Sequence, residues 1–128
     1  MTATIAFIAH DNQKTDLANL VDRYKSVFSR YHLIATESTG DFIEQTTGLN
    51  VEKVLPGTIG GDAQIAARLI SDNVLAVFFP VDPLYAKSDE PPLQPILRLC
   101  FLYNIPLATN LATGEAIAVS LARATVAH

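Results

Sequence analysis

The chain has 128 residues, 49% of them hydrophobic and 17% charged, with a formal net charge of −4 and one cysteine. That length suffices for one domain with its own core, and the lone Cys100 excludes an internal disulfide framework and a cysteine-based zinc site, which suits a reducing compartment. An acidic balance with no Lys/Arg cluster argues against nucleic acid or an anionic membrane surface as partner. The charged fraction is below the roughly 25% usual for soluble domains, a hint of surface hidden in an oligomer. The N-terminus carries no basic-then-apolar secretory pattern, so a cytoplasmic location is expected. The longest apolar run, 74–79, stops at Pro80 and is too short to span a bilayer.

Apolar runs and helical patterns alternate along the chain. Residues 4–9 read as a buried strand. Leu17, Leu20, Val21, Tyr24 and Phe28 then recur at three and four residues and predict one helical stripe. Residues 32–36 form a second strand, and 41–48 a short helix closed by Gly48. Residues 51–55 are a third strand, 62–70 a helix, and 74–79 the most apolar segment, which predicts the central strand. A helix over 93–102, a strand over 105–109 and a helix over 112–124 complete the order. Apolar strands separated by helices predict a single doubly wound α/β domain over residues 1–128, with a five-stranded parallel sheet and helices on both faces.

Ligands of such sheets bind outside the carboxyl ends of the strands, so the residues just after each strand carry the chemistry. After the first strand stand His10, Asp11 and Lys14. Asp11 also fits a helix cap, whereas Lys14 near a helix N-terminus opposes the macrodipole and makes sense beside an anion. After the second stands the turn Thr36-Glu37-Ser38-Thr39-Gly40, whose hydroxyls and glycine suit a phosphate cradle or ordinary capping by Ser38 with Asp41. The third strand leads into Pro56-Gly57-Thr58-Ile59-Gly60-Gly61-Asp62, with glycines that admit a close ligand and Asp62 opening a helix. Asp82-Pro83-Leu84 and a proline-rich loop to Pro92 follow the fourth strand, placed as a lid or wall.

No GxxxxGK[ST], GxGxxG or GxSxG motif is present, which argues against nucleotide P-loop, dinucleotide and serine-hydrolase readings. His10, His32 and His128 have no metal-ligand spacing. Cys100, within Leu97-Arg98-Leu99-Cys100-Phe101-Leu102, reads as a core thiol. Arg98 in that apolar segment either pairs with a carboxylate across a subunit contact or snorkels to solvent.

Taken in order, Ile8-Ala9-His10-Asp11 with Lys14, the Thr36–Gly40 turn, Thr46-Thr47-Gly48-Leu49-Asn50, Gly60-Gly61-Asp62, Asp82-Pro83-Leu84 and the stretch from Ile105 to Asn110 resemble the methylglyoxal synthase family over nearly the whole chain. The resemblance implies conversion of dihydroxyacetone phosphate, a triose phosphate, to methylglyoxal and inorganic phosphate by a cytoplasmic homohexamer that needs no metal or organic cofactor. By the same resemblance Asp62 is the base that removes a proton beside the carbonyl. Asp82, Asp11 and His10 match further active-site positions. Lys14, Thr36, Thr39 and Gly57, with Ser38, Gly40 and Gly61 in the same turns, match the phosphate side.

The stretch Ser88-Asp89-Glu90-Pro91-Pro92 departs from the family's Pro-His-x-Pro-Asp. Asp89 thus stands for an active-site histidine and Pro92 for a second aspartate. Pro56 replaces a serine and Glu37 a glycine in the phosphate turns. Asp89 and Glu90 are the carboxylates at hand to serve in place of the missing pair. An alternative to the lyase is therefore a weakened relative that binds a phosphorylated metabolite or anion as a regulatory module.

Overall fold

A computed structural model describes residues 2–84 and 90–126. Five strands form one parallel sheet: β1 (Thr4–Phe7), β2 (His32–Thr36), β3 (Glu52–Val54), β4 (Val74–Phe78) and β5 (Leu107–Ala108), in the order β3-β2-β1-β4-β5. Helices α1 (Lys14–Arg23), α2 (Lys25–Phe28), α3 (Glu37–Thr47), α4 (Gly61–Ser71), α5 (Gln94–Tyr103) and α6 (Leu111–Val126) connect and cover them.

Side-chain alternation along the strands builds a core on each face of the sheet. Ile5, Phe7, Leu33, Ala35 and Phe78 point to one layer, where Leu17, Leu20 and Val21 of α1, Phe28 of α2, Ile43 of α3 and Ala118 of α6 meet them. The rings of Phe7, Phe28 and Phe78 pack there at centroid distances of 5.2–5.7 Å. Ala6, Ile8, Ile34, Val77 and Phe79 point the other way, onto Ile65 and Leu69 of α4 and Ile96 and Cys100 of α5. Both faces of β1 are dry, which is why it reads as an unbroken apolar run, whereas Glu52 and Lys53 of the edge strand β3 are exposed.

The central strand is β1 rather than the segment beginning at Val74: β1 pairs with β2 on one side and β4 on the other. An apolar run reports burial on both faces, and every interior strand shares that. The expected single stripe from Leu17 to Phe28 is two helices, because Tyr24 (φ −114°, ψ 29°) interrupts the hydrogen-bond ladder between them. Helix α3 starts at Glu37, four residues before Asp41. Extended Thr36 (φ −61°, ψ 152°) occupies its N-cap, so Ser38 lies in the first turn and is not the cap. Gly48 closes α3 in the left-handed region at φ 75°, as expected. Asp11 heads a 3-10 turn, Asp11–Gln13, ahead of α1.

One glycine is required by space alone. A Cβ on Gly61 would stand 1.8 Å from the Leu55 carbonyl oxygen, so only glycine lets α4 begin directly against the end of β3. Among the described residues no helix is long and apolar enough to cross a membrane.

Candidate functional site at the carboxyl edge of the sheet

The winding runs outward from β1 in both directions, which puts a switch point between β1 and β4. The carboxyl ends of four strands deliver their turns to that edge. There they enclose a cavity of about 90 Å³, lined by Ala9, Asp11, Lys14, Thr36, Ser38, Gly57, Thr58, Glu90 and Pro91. That volume holds about three waters, or one phosphate-sized group. Wider depressions lie elsewhere: one is lined by Thr2, Arg30, His32 and Asn73 among others, another by Glu37, Glu52, Lys53 and Arg68 among others, and another by Gln94, Leu97, Arg98, Phe101 and Leu102 on α5.

Lys14, the first residue of α1, provides the cationic contact in the cavity. Its Nζ donates to Asp11 Oδ1 at 2.6 Å and to Ser38 Oγ at 3.0 Å, tying the β1 turn to the β2 turn. Thr36 and Thr39 are buried, and Thr36 Oγ1 donates to Thr39 Oγ1 at 3.3 Å. Gly57 forms part of the wall against the loop: a Cβ there would sit 3.1 Å from Pro91 Cγ.

His10 is completely buried and organises the loop side. Its Nδ1 accepts the Asp82 backbone N–H at 2.8 Å, and its Nε2 donates to the Pro91 carbonyl at 2.8 Å. An N–H can only donate and a carbonyl can only accept, so these two bonds select the neutral imidazole protonated on Nε2. The ring therefore forms no ion pair with Glu90, although Glu90 Oε2 stands 3.7 Å from Nδ1. Asp82, 2% exposed, turns Oδ1 back to accept the Leu84 N–H at 3.0 Å.

The remaining expected site residues divide. Asp62 lies in the first turn of α4, half-buried, with no hydrogen bond or ion pair among the described residues, and is not part of the cavity lining. Gly61 serves the β3–α4 junction. Gly40 faces the stem of Lys53, whose Cγ would be 2.6 Å from a Cβ there. Glu37 is exposed and borders the depression beside β3, away from Lys14. Asp89 lies outside the described residues. Thr58 and Pro91 line the cavity although neither was singled out as a site residue; their signal was only adjacency to Gly57 and Glu90.

Outside the cavity, the Arg68 guanidinium and then His32 hydrogen-bond Glu52 and hold its carboxyl down at about 2. Burial pushes the Cys100 thiol up to about 11, as befits a core residue. Arg98 is exposed on α5 and makes no ion pair among the described residues, consistent with a side chain reaching for solvent. Among the described residues no three His, Cys, Asp or Glu side chains converge as metal ligands.

A doubly wound parallel sheet with a lysine- and hydroxyl-lined cavity at its switch point defines an α/β domain built to hold a small ligand. A family model, the MGS-like domain, matches residues 16–109, and the chain belongs to that family. It is 49% identical to the methylglyoxal synthase of Thermus thermophilus over 113 residues, covering 88% of this chain and 90% of that protein. It is 47% identical over 115 residues to the methylglyoxal synthase of Borrelia garinii subsp. bavariensis, covering 90% of this chain and 91% of that one. An uncharacterized protein of Synechocystis sp. is 50% identical over all 128 residues, but the chain spans only 30% of its length. The crystal structure of methylglyoxal synthase from Elizabethkingia anophelis NUHP1 superposes with a TM-score of 0.85 at 35% identity, over 90% of this chain and 76% of that one.

Proposed function

We propose that the chain is a lyase of the methylglyoxal synthase type, converting dihydroxyacetone phosphate to methylglyoxal and inorganic phosphate. The observation that carries this reading is the convergence of Lys14 with Ser38, Thr36 and Gly57 around a phosphate-sized cavity at the switch point. The Asp62 carboxylate takes a proton from the hydroxymethyl carbon beside the carbonyl and forms an enediol phosphate. Electrons of the enediolate then form a new C=C bond as the C–O bond to phosphate breaks. Lys14 and the hydroxyl and backbone donors around it stabilise the departing dianion. The released enol takes a proton on the carbon that carried the phosphate and becomes methylglyoxal. His10 anchors Asp82 and Pro91 beside the site, and Asp11 orients Lys14.

The proposal includes a single domain spanning residues 1–128, a cytoplasmic setting and a homohexameric assembly, on the strength of family membership. No cofactor enters this chemistry, since a carboxylate base and phosphate donors suffice.

A second reading, a phosphometabolite- or anion-binding regulatory module, draws on one observation. Glu90 and Asp11 put two carboxylates into the cavity against one ammonium, which weakens the hold on a dianion. Methylglyoxal formation from dihydroxyacetone phosphate, compared between wild type and Asp62→Asn, decides between them. Activity that the substitution abolishes is expected. A folded wild type that binds inorganic phosphate but yields no methylglyoxal overturns the lyase reading and leaves the binding module.

A further inference from the structure

A depression of about 620 Å³ lies at the amino edge of the sheet, at the far end of the strands from the switch-point cavity. Thr4 opens β1 there, beside His32 of β2 and Val74 of β4. It lines the depression and is 3% exposed, yet its hydroxyl makes no hydrogen bond among the described residues. A buried hydroxyl without a partner destabilises the fold, and valine would fill the same place in the strand without that loss. Arg30 lines the same depression and is exposed, and its guanidinium has no hydrogen bond or ion pair among the described residues. Arg68 nearby is saturated by contrast. It donates to Asp72 Oδ2 at 2.6 Å and to the two Glu52 oxygens at 2.6 and 3.0 Å.

Three further lining residues accept rather than donate. Ser29 gives its hydroxyl proton to the Ser26 carbonyl at 2.9 Å, and Ser71 gives its own to the Ala67 carbonyl or to Asp72 Oδ1. Both keep lone pairs and have no second proton. Asp72 ends α4 here, where the last carbonyls of the helix add negative partial charge. In that field one free guanidinium is too little for a dianion and enough for a single carboxylate. Arg68 already neutralises Asp72, so the remaining acceptors call for a neutral donor and not an ammonium.

We infer that this depression binds a small monocarboxylate carrying a hydroxyl beside its carboxyl group. Arg30 grips the carboxylate through its planar fork, and the ligand hydroxyl pairs with Thr4 and the oxygens around it. The site stands apart from the lyase reading, since no residue that lines the switch-point cavity lines this depression.

The probes are D-glycerate, a hydroxy acid, and acetate, which has the carboxylate alone. Both are titrated calorimetrically into wild type, Arg30→Gln, Thr4→Val and Lys14→Met, each checked by thermal unfolding. Wild type is expected to hold D-glycerate at least about fivefold more tightly than acetate, the worth of a neutral hydrogen bond. Arg30→Gln is expected to weaken D-glycerate about tenfold and Thr4→Val about threefold or more. Lys14→Met leaves that affinity unchanged, because Lys14 serves the opposite edge. Thr4→Val melts no lower than wild type, since its hydroxyl has no protein partner to lose. Absence of saturable binding by wild type overturns the inference, as does acetate held as tightly as D-glycerate. An affinity unmoved in Arg30→Gln or in a folded Thr4→Val overturns it too. A loss confined to Lys14→Met places D-glycerate in the switch-point cavity and overturns it equally. Arg30 is exposed, so its variant tests the site whether or not Thr4→Val folds.

Discussion

The imidazole of His10 accepts the Asp82 backbone N–H at 2.8 Å from a position with no solvent exposure, joining residues 72 apart in the chain. With its second bond to the Pro91 carbonyl, one ring pins both ends of the segment that follows β4. His10→Phe keeps most of the volume and removes both bonds. It leaves a buried N–H and a carbonyl unpaired, at about 1–3 kcal/mol each. Urea unfolding is expected to show a loss of that order. Phosphate affinity falls with it, because Glu90 and Pro91 lose their anchor.

Lys14 is the cation of the cavity, and Lys14→Met keeps its stem while removing its charge. Asp11 and Glu90 then face an incoming phosphate with no compensating ammonium. Calorimetry with inorganic phosphate is expected to show affinity at least about tenfold weaker, the scale of one charge-assisted hydrogen bond. An unchanged affinity in the variant places phosphate elsewhere.

Gly61→Ala sets a methyl group 1.8 Å from the Leu55 carbonyl, a contact with rigid backbone that no rotamer relieves. The start of α4 must shift, and Asp62 moves with it. Thermal unfolding is expected to show destabilisation of at least about 1–3 kcal/mol. Gly57→Ala meets only the edge of the Pro91 ring at 3.1 Å and is expected to cost less stability than Gly61→Ala.

The Glu52 carboxyl, held at about 2 by Arg68 first and His32 second, couples stability to acid. Its folded-state pKa lies below the ordinary value of 4.5, so the stabilisation is fully present above about 4.5 and fades as the pH falls toward 2. The carboxylate is 42% exposed, which screens the pair and limits its worth to below about 1 kcal/mol. Glu52→Gln is expected to lower stability slightly at neutral pH and to flatten the acid-unfolding profile between those limits. Equal slopes for the two proteins would deny the pair any role.

Periodicity and turn chemistry carried most of the architecture. Ile5, Phe7, Ile34 and Phe78 announced dry strands, and Gly48 announced the end of a helix. Tyr24 was not legible as a break, since its spacing continues the apolar stripe and only backbone geometry separates α1 from α2. The start of α3 was misplaced because Ser38 and Asp41 imitate a cap, a place taken instead by extended Thr36. At the site, Lys14 and Ser38 were legible as residues that follow strands. The clamp by His10 was not, because it depends on partners 72 and 81 positions away. The direction of Glu37 was not legible from its place in a phosphate turn, and the first turn of α3 directs it outward, toward the rim beside β3.

The strand order has a kinetic consequence. Every neighbour of β1 is distant in sequence: Phe7 pairs with Ala35 on one side and with Phe78 on the other. A chain emerging residue by residue can zip β1, β2 and β3 together early, but the cavity still lacks Glu90 and Pro91. Only when β4 crosses back over the half-built sheet and docks along β1 does the last wall arrive. The pocket is thus assembled among the final events of folding, since long-range pairing must await costly loop closure. Any ligand that fills it holds the two halves of the sheet together across their seam. It would act as a pharmacological chaperone, slowing unfolding and leaving the early steps of folding untouched.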